Sequence, residues 1–459
     1  MAYPDLRAFL ARLEQEGELA HVRRPVEMDQ ELGAVCRTAL NRNGPALMFD
    51  NPVGGGMPVV VNILATRRRY ALALDVPEDR IHSTWGERTA KPIAPVMVGD
   101  GPCQENVITG DKVDLTAITT PIFNELDGGK FITFGCHISK DPDSGERNCA
   151  VYRAQIYGRN KMGLHAARYR HLILHRVKRP AERFPIAVAI GCDPTIQITS
   201  CAPIAQGVDE LAVAGGLRGA PVELVRCKTV PLEVPATSEI VIEGYLEANE
   251  EREEGPFGDF LGYYSRKTVQ PVVTVTAITY RNRPIHLVSY EGKPPHDNAM
   301  LNCLQQEAEI LRAVDLPGIR KLHVTSTSSG FTAIVSIQKR YEGFPKMMGM
   351  AILGTWASKN LKTVILVDED IDPFNWGEVD WALATRFQPH RDIEVVREVI
   401  GCSIDPSIDL EEKLNRTGRT SKMIIDLTRY NASQYEPACD PRPDVLAAVQ
   451  ARWSEYGIP

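Results

Sequence analysis

Glu254 and Asp259 stand five positions apart in "EEGPFGDFLGYY" (253–264), on either side of a Gly-Pro-Phe-Gly bend. Two carboxylates ~4 Å apart repel by roughly 4 kcal/mol at an effective dielectric of ~20, so an unpaired duo tends to hold one proton between them. That is the poise of a general acid. A guanidinium set between them would bind one as a fork and leave the other to titrate. The upstream run "EANEEREE" also reads as an acidic hairpin tip, solvated and without chemistry. Against that, Phe257, Phe260, Leu261, Tyr263 and Tyr264 surround the second acid. They predict that Asp259 is the desolvated member, and a buried carboxylate must be paired or protonated. Pattern alone does not choose the arginine.

The elements that must position such a pair are legible in outline. "PDLRAFLARLEQE" spaces Leu6, Phe9, Leu10 and Leu13 as one helical face, with Gly17 as a stop. A second helix near 30–41 and strands "ALMFDN" and "PVVVNIL" predict a small α/β unit to about residue 95, before a Pro/Gly-rich crossing. From 130 to 290 the chain reads as strands: "KFITFGCHIS", "NCAVYRAQIYG", "PIAVAIGC", "SEIVIEGYLE", "PVVTVTAITY" and "PIHLVSYEG", the last two joined as a hairpin by "RNRP". Many short antiparallel strands predict a barrel or sandwich. One helix, "GVDELAVAGGLRG", interrupts them. Beyond 303, helices alternate with buried-type strands such as "KTVILVDED", the pattern of an α/β sandwich. The last stretch, "PDVLAAVQARWSEYG", is an end helix suited to packing on a partner subunit.

Composition narrows the function. The 459 residues are 43% hydrophobic and 24% charged, as in an ordinary globular protein. A net charge of -7 with scattered basic residues argues against nucleic acid as partner. No apolar run approaches the ~20 residues that span a bilayer, and the N-terminal sequence lacks signal-peptide order, which predicts a cytoplasmic protein. The ten cysteines form no C-x-x-C pair, so a metal site must be assembled from distant segments. No G-x-G-x-x-G or G-x-x-x-x-G-K-[ST] element supports a nicotinamide or ATP site.

Six blocks, in order, give the chain a close resemblance to the UbiD-type decarboxylases that use prenylated FMN, over essentially its whole length: "DLRAFLARLEQEGEL", "NCAVYRAQIYG", "DELAVAGGLRG", "LEVPATSEIVIEGYLE", "EGPFGDFLGYY" and "TSKMIIDLT". The resemblance implies an α+β protein with an N-terminal α/β unit (1–95), a central split β-barrel of flavin-reductase type that binds the cofactor (96–302), a C-terminal α/β oligomerisation sandwich (303–430) and an end linker and helix (431–459). It supplies the missing cation, Arg153 of "NCAVYR", between Glu254 as principal acid/base and Asp259 as second acid or relay. Asp259 is one methylene shorter than the Glu common in relatives acting on cinnamic-type acids, which argues against a cinnamate substrate.

The family's Mn²⁺ (or Mg²⁺) ligands map to Asn148, His171 and Glu210, an oxygen-rich set with one imidazole; K⁺ is a further implied ion. On its own Glu210 reads as a helix-start acid, and His165 and His175 lie close to His171 in the sequence. Cofactor contacts map to Asn148, Val151, Tyr152, Arg153, Arg170, His171, Ser200, Cys201, Ala202, Pro203, Glu210 and Lys422. The implied reaction is reversible, non-oxidative decarboxylation of an aromatic, heteroaromatic or α,β-unsaturated acid. Electrons left on an sp² carbon need a cofactor as sink. A flavin prenyltransferase would supply that cofactor, and the assembly would be a homodimer or hexamer. The alternatives are a flavin oxidoreductase on a split barrel, which would consume NAD(P)H, and a non-catalytic subunit of a larger carboxylase.

Overall fold

The computed structural model describes residues 3–168, 170–402, 404–414 and 418–458, and its architecture is mixed α+β as the sequence predicts. The first helix, Leu6–Gln15, is capped by Asp5, whose side chain accepts the Ala8 N–H at 2.8 Å, and it buries Leu6, Phe9, Leu10 and Leu13 as their spacing requires. Strands Leu19–Val22, Ala46–Phe49 and Val59–Val61 form its sheet.

The fourth strand of that sheet comes from far along the chain. His286–Val288 lies parallel to Val59–Val61, so "RNRP" closes no hairpin with the preceding strand. The reason is occupancy. At its Ala277–Tyr280 end, the strand Thr268–Tyr280 already has Ile240–Glu254 on one side and Asn106–Thr109 on the other. A turn signal reports reversal of the chain, not which edge is vacant.

The central sheet has nine strands, curled into a half-barrel. Its path runs Phe131–Ile132, Arg153–Ile156, Lys161–His165, Thr268–Tyr280, Ile240–Glu254, Phe184–Ile190, Cys136–Lys140 and Arg147–Val151, with Asn106–Thr109 paired beside Thr268–Tyr280. "NCAVYRAQIYG" is therefore two strands, Arg147–Val151 and Arg153–Ile156, at opposite ends of the path and separated by Tyr152 alone. One residue joins the last strand of the path to the second, so the sheet must curl until its two ends approach each other. Ile186, Val188, Ile190, Ile240 and Ile242 pack its interior. Each alternates with outward positions as strand pleating dictates.

The helix Asp297–Ala313 links the two ends of the molecule. Its buried Asp297 accepts the backbone N–H groups of Asn62 (3.0 Å) and Leu64 (2.6 Å). One face further on, the fully buried Glu307 accepts from Arg67 Nη1 at 2.8 Å and from the Val324 N–H at 2.8 Å, and lies 2.8 Å from His82 Nε2. The C-terminal sheet follows in the order Ile319–Val324, Thr332–Ile337, Thr363–Asp368, Arg419–Asp426, Ile393–Ile400, flanked by helices Phe344–Leu353 and Trp376–Arg386. The end helix Pro443–Ala451 buries none of its residues and leaves Val445 and Leu446 exposed. Among the described residues no helix is long and apolar enough to cross a membrane.

Candidate active site

Arg153 opens its strand one residue after Arg147–Val151 ends, directly opposite His165 on the neighbouring antiparallel strand. Its guanidinium donates to Glu254 as a fork, Nε to Oε1 at 2.8 Å and Nη2 to Oε2 at 3.0 Å. Nη1 donates to Asp259 Oδ2 at 3.1 Å and Nη2 to Ser265 Oγ at 3.1 Å. The Phe257 ring lies 4.8 Å from the guanidinium carbon. Arg153, Glu254 and Asp259, drawn from segments about a hundred residues apart, are thus one cluster.

The burial of the two acids is the reverse of the sequence expectation. Glu254 has 0% of its side chain exposed, whereas Asp259 keeps 23%. Glu254 ends the fifteen-residue strand Ile240–Glu254, paired there with Thr268, and is enclosed by the sheet. Asp259 sits in the turn beyond, and its aromatic neighbours Tyr263 and Tyr264 point outward, 64% and 40% exposed. Both acids are paired with the one guanidinium. Burial pushes the Glu254 carboxyl up, but bonds to His165 and Arg153 and their charge outweigh it and hold the group below the ordinary carboxylate range.

A cavity of about 210 Å³ opens beside this cluster, and Val151, Tyr152, Arg153, Arg170 and Asp259 are among its walls. Glu254 is not. The sequence assigns no role to several other lining residues, among them Glu291 and Asn298, and names His165 only as a neighbour of His171. Burial drives the Glu291 carboxyl well above its usual range, and Ser289 Oγ donates to it at 2.9 Å. His165 had a visible signal: it and Arg153 are equidistant from the turn "GRN" at 158–160, which sets them opposite each other in a hairpin.

On the far side of Tyr152 lie the expected anchoring residues. Buried Glu210 begins the helix Glu210–Arg218, and its Oε2 accepts the Cys149 N–H at 2.9 Å, beside Asn148; burial pushes its carboxyl up to about 7. The Tyr152 phenol, also raised to about 12 by burial, stands in the field of Arg170 and Glu210 and next to Asn148. Asn148 Nδ2 and Tyr152 Oη are buried side by side, and among the described residues neither meets a well-formed hydrogen-bond partner. Ser200 Oγ lies 3.2 Å from Cys149 Sγ, at the end of the helix Pro194–Cys201. The Cys201 thiol is pushed up by burial and feels Glu291 and Arg170; Ala202 caps the helix and Pro203 is exposed after it.

His171 and Lys422 are less closely tied to the cavity. His171 starts the helix His171–Arg176, and its ring stacks 6.5 Å from His175, one turn on. Lys422 is buried in the C-terminal sheet, where Nζ donates to the carbonyls of Ser358 (2.7 Å) and Lys359 (3.1 Å), and burial lowers it to about 8. Among the described residues no group of three or more His, Cys, Asp or Glu side chains is arranged to hold a metal ion.

Three family models match the chain in succession: the 3-octaprenyl-4-hydroxybenzoate carboxy-lyase N-terminal domain at residues 10–89, the Rift-related domain at 95–294 and the C-terminal domain at 299–427. Among solved structures, the UbiD-class enzyme HmfF from Pelotomaculum thermopropionicum in complex with FMN is 34% identical, with a TM-score of 0.88 over 97% of this chain and 99% of that one. An evolved dimeric form of that enzyme in complex with prFMN is 32% identical, TM-score 0.85, over 96% and 98%. The apo 3,4-dihydroxybenzoic acid decarboxylase of Klebsiella pneumoniae is 31% identical, TM-score 0.88, over 97% and 99%. The vanillic acid decarboxylase of Sedimentibacter hydroxybenzoicus is 30% identical, and this chain fits its open form (TM-score 0.88, over 99% of each chain) better than its closed form (0.78, over 100% of each).

Proposed function

The chain belongs to the UbiD family, and on that premise we propose that it is a carboxy-lyase catalysing reversible, non-oxidative decarboxylation of an aromatic, heteroaromatic or α,β-unsaturated acid with prenylated FMN. The observation that carries this reading is the single guanidinium of Arg153 clasping Glu254 and Asp259 beside the cavity. The decarboxylase relatives named above act on vanillic and 3,4-dihydroxybenzoic acids.

The residues present fit such a cofactor. Buried donors on Asn148 and Tyr152, with Arg170 on the cavity wall, suit an anionic phosphate. A divalent cation, Mn²⁺ or Mg²⁺, would offset the cost of burying Glu210, with Asn148 and His171 completing an oxygen-rich set. When bound, prenylated FMN supplies the electron sink that no side chain can provide.

The protein's own work is binding, orientation and proton transfer. Arg153 holds Asp259 against the cavity, and Asp259 delivers the proton that replaces CO₂ on carbon. Exposure favours Asp259 over Glu254 for this step, which exchanges the roles expected from the sequence. Glu254, enclosed and ionised, keeps the guanidinium in register through its fork. Lys422 is held by the carbonyls of Ser358 and Lys359 and would have to leave them to reach a cofactor, and the outward apolar side chains of the end helix suit self-association.

The test is co-expression with a flavin prenyltransferase, mass analysis of the bound flavin with and without chelator, and a screen of aromatic acids for CO₂ release. Asp259→Asn should lose about 100-fold or more in turnover while keeping its flavin. Unchanged CO₂ evolution by that variant ends the assignment.

A further inference from the structure

The turn that carries Asp259 is pinned at a single carbonyl from two other parts of the chain. Within residues 259–263 the backbone closes on itself, the Asp259 N–H donating to the Tyr263 carbonyl at 3.0 Å and the Gly262 N–H to the Asp259 carbonyl at 2.8 Å. Asp259 Oδ1 accepts the Phe260 N–H at 2.8 Å. Among the described residues, three side chains from outside this segment hydrogen-bond to residues 259–262. Arg153 donates to Asp259 Oδ2 at 3.1 Å, while His296 and Ser329 both meet the Phe260 carbonyl, at 3.1 and 2.7 Å.

Both of the latter are donors. The His296 ring caps the helix Asp297–Ala313 by accepting the Ala299 N–H at Nδ1 (3.3 Å), which leaves the hydrogen of the neutral imidazole on Nε2, facing Phe260. Burial lowers this ring to about 4, so it is uncharged at neutral pH. The Ser329 hydroxyl takes the second lone pair of the same carbonyl. Its place in the chain is what counts. Ser329 lies between Ile319–Val324 and Thr332–Ile337, the first two strands of the C-terminal sheet, whereas Asp259 follows a strand of the half-barrel. It is buried, and at φ 50° it occupies left-handed backbone that glycine adopts with less strain, so what a serine adds at this point is its hydroxyl.

Resting on the proton-donor role given to Asp259 above, we infer that Ser329 is a positioning residue for that proton transfer: by holding the Phe260 carbonyl it fixes the turn, and it makes turnover depend on the docking of the C-terminal unit against the half-barrel. In the step it serves, the Asp259 O–H bond breaks as the new C–H bond forms on the electron pair left by CO₂, and one solvent proton reloads the carboxylate. Such a donor must come within about 2.6–3.2 Å of its target, and a misplacement of ~1 Å costs about 100-fold. Arg153 fixes one oxygen of the side chain; His296 and Ser329 fix the backbone beneath it.

Ser329→Gly is the informative variant, because it deletes the hydroxyl while suiting the left-handed backbone, and the fold should therefore tolerate it. Wild-type and variant holoenzymes, matched for flavin content, are compared on the acid that releases most CO₂ in the screen above. The variant's kcat should fall about 10–100-fold with KM changed less than about twofold, and the solvent deuterium isotope effect on kcat should rise. In an Asp259→Asn background the same substitution should cost less than about twofold, since the group it positions is gone. Hydrogen exchange followed by mass spectrometry, which needs no substrate, should quicken about 3–10-fold in the peptide carrying residues 259–263, the weight of one hydrogen bond, and stay unchanged in the strand Phe184–Ile190. The inference is overturned if exchange in the turn is unchanged, if kcat stays within about twofold of wild type, if KM rises in proportion to the loss, or if the losses from the two substitutions multiply. Full turnover by Asp259→Asn ends the proton-donor reading itself; an inactive Asp259→Asn beside an unaffected Ser329→Gly removes only the role given to Ser329.

Discussion

Replacing Arg153 by Met removes the charge while keeping much of the bulk, and it should reverse the pH dependence of stability contributed by Glu254. In the wild type, burial is the largest influence on this carboxyl, and it is outweighed by bonds to His165 and Arg153. Without the fork at 2.8 and 3.0 Å, the 0% exposed group retains the His165 contact alone against burial, so its pKa should move above the ordinary range. The sign then changes. A depressed folded pKa gives stability that is present above the unfolded value of 4.5 and lost as pH falls below it; a raised one gives stability that is present below it and lost as pH rises. Removing one partner of a buried pair costs about 3–5 kcal/mol, and Arg153 is only 10% exposed, so little is discounted for solvent. At about 2–4 °C per kcal/mol for a unit of ~200 residues, the unfolding midpoint should drop by about 6–20 °C at pH 7–8. The gap should narrow steadily towards pH 5. Thermal unfolding of both proteins at pH 5, 6, 7 and 8 measures this, and a pH-independent difference, or one below about 1 kcal/mol at pH 7, refutes the reasoning.

Two further outcomes follow from the same geometry. A Cβ on Gly128 would lie 2.2 Å from the Gly255 carbonyl oxygen, so Gly128→Ala must displace the bend between the two acids; it should cost about 1–3 kcal/mol and lower turnover, while Gly99→Ala, with nothing within 4 Å, should be neutral in thermal unfolding and CO₂ assays. Glu307 is held down at about 2, its burial outweighed by His323, His82 and Arg67, so Glu307→Gln should destabilise by about 3–5 kcal/mol above pH 5. That deficit should vanish towards pH 2 as the wild-type carboxyl takes up its proton, and denaturant unfolding between pH 3 and 7 reads it.

Much of this site was legible in the residues, and the gaps have physical causes. The carboxylate pair announced itself by spacing, but its burial did not. The strand ending at Glu254 runs through "EANEEREE" with Glu251, Arg252 and Glu253 exposed on both of its faces, and only its last residue, Glu254, is sealed, where it meets Arg153. A charged run can therefore hide a sheet edge. Arg153 was chosen by family likeness, since its closeness to Glu254 depends on the sheet curling at Tyr152, which no local period encodes. His165 needed only the symmetry of a hairpin. The pairing of His286–Val288 depended on which edges other strands had filled, a property of the whole fold.

That borrowed strand bears on how the chain is made. Val59–Val61 leaves the ribosome long before His286–Val288, by about 10–45 s at ~5–20 residues per second. Throughout that interval an apolar β-edge has no neighbour, the condition in which nascent chains stick to one another. The amino-terminal third is therefore unsuited to excision as an autonomous fragment, and its solubility during synthesis depends on whatever shields that edge until the downstream segment arrives.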